Sequence, residues 1–143
     1  MLDIPVDGLE EIFKVTGRKL CLAISDQQFL ADPLCLKSHI EKLKELGVSI
    51  AIDQVGSGFS SLESLFLLEP QYLRLDKNLT KKCESGEQHQ LFLKNLVKLA
   101  AQISAKTIAE GIESPDHLRI MAGLGVDYGQ GLFWGMPLAF GDK

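Results

Sequence analysis

The sequence predicts an α/β fold built on a parallel sheet. Apolar runs of strand length alternate strictly with segments of helical periodicity. The run Val48 to Asp53 is almost wholly apolar until its last residue, as a strand covered on both faces should be. Capping and stop signals, such as Asp32-Pro33, Ser114-Pro115 and several glycines, punctuate the alternation. About five βα units result. They could form an open doubly wound sheet or the second half of an eight-stranded barrel, and periodicity does not choose between them.

Taken in order, Asp7 to Val15 reads as a short helix closed by Gly17, with Leu9, Ile12 and Phe13 on one side. Lys19 to Ser25 is the first strand. Asp32 caps a helix with Pro33 at its first position. Leu36, Ile40, Leu43 and Leu46 form the buried stripe of that helix, and Gly47 stops it. Val48 to Asp53 is the second strand. Ser61 to Leu68 is a helix ended by Pro70. Tyr72 to Asp76 is the third strand, and Lys77 to Gly86 reads as a polar, irregular connection. Phe92, Leu96, Leu99 and Ile103 mark a long helix. Thr107 to Glu110 is the fourth strand. Ser114 opens a helix carrying Leu118, Met121 and Leu124, closed by Gly125. Val126 to Tyr128 is the fifth strand, before a glycine-rich tail with Trp134 and Pro137. No composition break or repeat divides residues 1–143, so a single domain is expected.

The net charge of −4 argues against a partner that is a nucleic-acid polymer or an anionic membrane. No apolar run reaches membrane-spanning length. Cys21, Cys35 and Cys83 form no C-x-x-C pair, which fits a reducing cytoplasm and signals neither zinc nor disulfide.

In a parallel sheet the strand C-termini share one face, where ligands bind. The polar residues there are Ser25, Asp53 with Gln54, Arg74 with Asp76, Glu110 with Glu113, and Gln130. Asp53 and Glu110 are hard oxygen donors suited to Mg²⁺ or Mn²⁺, although acids at such places also serve as plain helix caps. His39, His89 and His117 lie in separate segments with no paired ligand spacing and read as solvated or packed side chains. Gly56-x-Gly58 lacks the lysine of a phosphate-binding loop. Lys77, Lys81 and Lys82 read as a solvated loop face.

The segment Asp53-Gln54-Val55-Gly56-Ser57-Gly58-Phe59-Ser60-Ser61 resembles the D-D-F-G-T-G-Y-S-S motif of EAL domains, the bacterial cyclic-di-GMP phosphodiesterases. Leu73-Arg74-Leu75-Asp76 is similar to the family's L-K-I-D, and Ala109-Glu110-Gly111-Ile112-Glu113 to A-E-G-V-E. Asp127-Tyr128-Gly129-Gln130-Gly131, with Gly135 and Pro137, is similar to D-Y-x-Q-G…G-x-P. Leu20 to Ser25 fits the strand that reads L-E-L-T-E-S. The resemblance covers residues 18–138. It implies the later part of a modified TIM barrel, with the E-A-L strand and the strand after it lacking a counterpart.

On that resemblance Asp53 and Glu110 match metal ligands, Glu113 a motif acid and Gln130 a glutamine at the catalytic face. Gly56, Ser57, Gly58, Arg74 and Gln130 are the expected ligand contacts. The departures fall on the chemistry. Cys21 stands where a metal-binding glutamate belongs, and a thiol is a poor Mg²⁺ ligand. Ile24 replaces a loop-anchoring glutamate, and Gln54 replaces the second aspartate. Arg74 replaces the lysine that positions water, and arginine cannot act as a base.

The expectation is a degenerate EAL module, without catalysis, working through protein contact or residual cyclic-di-GMP binding. The alternative is a metal-dependent phosphodiesterase completed by residues from elsewhere, for which alone Mg²⁺ or Mn²⁺ would be a cofactor. Open sheet edges in a partial barrel favour a protein partner or homo-oligomer.

Overall fold

A computed structural model describes residues 21–25, 33–56 and 67–135. Five parallel strands pair in chain order without reversal. They are β1 (Cys21–Ile24), β2 (Ser49–Val55), β3 (Tyr72–Leu75), β4 (Lys106–Ala109) and β5 (Tyr128–Gly129). A doubly wound sheet reverses its order at a switch point, whereas a barrel runs sequentially. The sequential order therefore answers the question the periodicity left open, in favour of the barrel type.

Between the strands run α1 (Pro33–Glu45), α2 (Lys77–Lys82), α3 (Glu87–Gln102) and α4 (Pro115–Gly123), with a 3₁₀ turn at Leu132–Trp134. These four helices cover the same face of the sheet. Leu36, Ile40 and Leu43 of α1 and Ala100 of α3 pack with Ile24, Ile50, Ile52 and Leu73 in one buried cluster. Leu79 of α2, Leu93 of α3 and Met121 of α4 pack with Leu75, Ala109 and Ile112 in a second. Leu96 of α3 touches both clusters and joins them. Among the described residues, no helix is long and apolar enough to cross a membrane.

Three expectations are corrected. The segment after Asp76 is not irregular: it holds α2, because the Asp76 carboxylate accepts from the Asn78 amide as an N-cap. Leu79 and Cys83, four residues apart, then point into the core. Lys77, Lys81 and Lys82 are exposed on that helix rather than on a loop. In α3 the buried stripe begins at Leu93, and Phe92 is 49% exposed. Leu93, Leu96, Ala100 and Ile103 keep a three-four-three spacing, and Phe92, about 100° round from Leu93, falls at the edge of that stripe in the first turns of α3.

The fifth strand begins at Tyr128, not Val126. The Val126 amide closes α4 by donating to the Met121 carbonyl. Asp127 meets Thr107 mainly through its side chain, which accepts from the Thr107 amide at 2.9 Å and hydroxyl at 3.1 Å, while its own amide donates to the Thr107 Oγ1 at 3.2 Å. The expected helix at 7–15, residues 61–66 of the helix before Pro70, Ser57, Gly58, Phe59, Phe66 and Pro137 lie outside the described residues.

Candidate functional site

The site is built around Arg74. Its neighbours Leu73 and Leu75 are fully buried against the helices, so the pleat places Arg74 on the opposite face of β3. On one side β3 pairs with β2, and the register shifts by one residue between Ile52 and Val55. Gln54 sits in that irregularity with a positive φ of 55°. Bulges re-aim side chains, and here Asp53 turns one carboxylate oxygen to its own chain and one outward. Its Oδ1 accepts from the Gln54 amide at 2.9 Å, and its Oδ2 accepts from Arg74 Nη1 at 3.3 Å.

On the other side, Glu110 directly follows β4, and its Oε1 accepts from Arg74 Nη2. One guanidinium thus holds carboxylates from both flanking strands. All three side chains are only 21–29% exposed, so water screens the charges poorly. Burial pushes the Glu110 carboxyl above its ordinary range. Arg74 opposes the rise, Asp53 and Asp76 add to it, and Lys77 lowers it.

Glu110 is also fixed through its backbone. The Thr80 hydroxyl donates to the Glu110 carbonyl at 2.6 Å, and the Thr80 carbonyl accepts from His117 Nε2 at 2.9 Å. Thr80 and His117 are fully and almost fully buried. The expectation of an irregular connection over Lys77 to Gly86 hides this support, because Thr80 lies within that segment. The Asp76 cap followed by Leu79 and Cys83 was the signal that could have found it.

Glu113 is exposed and forms no ion pair among the described residues. Gln130 is exposed; its amide donates to Ala109 and its carbonyl accepts from Ile112, which fixes its backbone beside the end of β4. Gly56 has a φ of +91°, and a Cβ there would meet Leu79 Cδ2 at 2.5 Å, so the turn after β2 seats directly on α2. Cys21 is near enough to feel the Arg74 charge, but partial burial dominates and pushes its thiol up. Gln54 is exposed.

The EAL domain family model matches residues 7–137, and the chain belongs to that family. Cyclic di-GMP phosphodiesterase PdeA of Borreliella burgdorferi is 30% identical over 120 residues, which are 84% of this chain and 18% of PdeA. The chain therefore spans less than a fifth of that relative. The EAL domain of Mycobacterium smegmatis DcpA superposes with a TM-score of 0.85 at 24% identity, over 96% of this chain and 63% of that one. Klebsiella pneumoniae BlrP1, in a manganese and cyclic-di-GMP complex, gives a TM-score of 0.83 at 19% identity over 92% of this chain and 35% of that one. These two likenesses bear on the fold alone, and with them the sheet is part of a TIM-type barrel.

A hard divalent cation needs several oxygen donors free to face it. Here both carboxylates that meet at the strand ends are taken by Arg74, and Cys21 offers a protonated soft thiol. Among the described residues, no group of three or more His, Cys, Asp or Glu lies close enough to hold a metal. The described donors do not fit Mg²⁺ or Mn²⁺.

Proposed function

We propose that the chain is a degenerate EAL module of cyclic-di-GMP signalling that does not hydrolyse the dinucleotide. The observation that carries this reading is the Arg74 guanidinium bound to both Asp53 and Glu110. Metal-assisted phosphodiester hydrolysis needs a cation to lower the pKa of a water and to neutralise the developing charge. A guanidinium supplies a single fixed positive charge, coordinates no water as a Lewis acid and accepts no proton. Gln54 and Cys21, in place of carboxylates, weaken the donor set further. Losses of this kind are each worth a factor of about 10² or more in rate.

Such a module would work by contact. The surface we assign to a protein partner or to a second copy is the region at and after β5, where among the described residues Tyr128, Leu132 and Trp134 are more than half exposed and Phe133 is 39% exposed. Light scattering that finds only monomer at every concentration would count against self-association. Residual cyclic-di-GMP binding through Arg74, Gly56, Ser57, Gly58 and Gln130 is tested by calorimetric titration in Ca²⁺. The alternative enzyme reading is favoured by one observation, that the fold still brings Asp53 and Glu110 to a shared group. The deciding assay is conversion of cyclic-di-GMP to linear pGpG with Mn²⁺. No turnover is expected. Steady turnover abolished by Asp53→Ala would overturn the reading.

A further inference from the structure

We propose that Arg74 acts as an internal substitute for a divalent cation, so that this end of the sheet is held together by a guanidinium and is indifferent to metal. The inference rests on the reading of the chain as a non-catalytic EAL module and concerns the same site.

The charges make the argument. Asp53 and Glu110 come from the two strands that flank β3 and converge on one face of the sheet. Asp76 adds a third negative charge that Glu110 feels, against the positive charges of Arg74 and Lys77. Without Arg74, the two partly buried carboxylates would lose the cation they share. Breaking a partly buried charge cluster by removing its cation is costly, because the remaining charges stay desolvated. Arg74 supplies that cation covalently.

The geometry suits arginine and not lysine. Nη1 serves Asp53 while Nη2 serves Glu110, so the planar fork spans two acceptors on different strands. A divalent cation held by Asp53 and Glu110 would need the same carboxylate oxygens. The guanidinium and the ion are therefore mutually exclusive occupants. The tether gives the guanidinium a high effective concentration, which a millimolar ion in solution must outcompete.

The experiment is thermal unfolding of the full chain with and without millimolar Mn²⁺. Four forms are compared: wild type, Asp53→Asn/Glu110→Gln, Arg74→Met, and the triple variant. Wild type should respond to Mn²⁺ no more than the double variant does. Arg74→Met should melt lower by about 5 °C or more without metal. Mn²⁺ should restore much of that loss, and the triple variant should show no restoration. Should Arg74→Met not fold, Arg74→Gln replaces it, and the wild-type comparison decides alone if neither folds. A larger Mn²⁺ response in wild type than in the double variant overturns the proposal. So does a folded Arg74 variant on which Mn²⁺ has no effect. Hydrolysis of cyclic-di-GMP by the wild type, measured separately, would remove the functional reading; the Mn²⁺ comparison would still decide this one.

Discussion

Arg74 on β3 donates to the carboxylate of Glu110, the residue that follows β4, across a register that sets Arg74 beside Ile108. Burial nonetheless leaves the Glu110 carboxyl above its ordinary 4.5, with Arg74 holding the rise in check. A carboxyl whose pKa is higher in the folded than in the unfolded chain binds its proton more tightly when folded. Its contribution to stability is complete below the unfolded value and is lost as pH rises through the folded one.

Glu110→Gln does not titrate, so the stability of wild type relative to this variant should be greatest near pH 4 and decline from there toward neutrality. Urea midpoints across that range measure it. Arg74→Met removes the opposing charge and should carry the decline to higher pH. A difference that grows as pH rises would mean that the ion pair dominates Glu110.

Thr80 is expected to matter more than its place in a short, lysine-rich helix suggests. Its hydroxyl lies within reach of the Lys77 carbonyl at 3.0 Å and the Glu110 carbonyl at 2.6 Å, inside a fully buried residue. Thr80→Val should cost about 1–2 kcal/mol in chemical denaturation, and Thr80→Ser should recover most of it. A loss in Thr80→Ser with none in Thr80→Val would point to the methyl group instead.

His117 is 2% exposed and donates from Nε2 to the Thr80 carbonyl, while Nδ1 lies 3.7 Å from Glu84. His117→Ala should cost about 2–3 kcal/mol, as a buried hydrogen bond and a filled volume are lost together. Glu84→Gln should change stability by less than about 0.5 kcal/mol, because that carboxylate is 43% exposed and the contact is long. Denaturation curves of the two variants separate these contributions.

Gly131 runs against the backbone of Ile112, and a Cβ there would fall within the van der Waals shell of its O and N atoms. Neither backbone can yield without loosening the Gln130–Ile112 and Phe133–Ile112 hydrogen bonds. Gly131→Ala should therefore cost about 2 kcal/mol or more. A thermal scan with an unchanged midpoint would contradict the packing described.

Much of the fold was legible in the sequence because apolar periodicity and caps are local signals. Leu36, Ile40 and Leu43 fall on the buried face of α1, as their spacing implied, whereas Leu46 lies past the end of the helix and is half-buried. What was missed depended on competition between backbone and side chain. Asp76 turned a polar stretch into α2, and the Asp127 carboxylate took the Thr107 amide and shortened β5. At the site, the chain showed that Arg74, Asp53 and Glu110 sit at strand ends. It gave no sign that one arginine would hold both acids. That depends on the register slip at Gln54 and on the order of three neighbouring strands, both of which are set by tertiary pairing.

The most direct measurement is a crystal structure of the chain grown in Mn²⁺, with anomalous diffraction collected for the metal. The expected result is the Arg74 guanidinium between Asp53 and Glu110, with no manganese peak at that position. A manganese peak bridging the two carboxylates, with Arg74 displaced, would contradict the account.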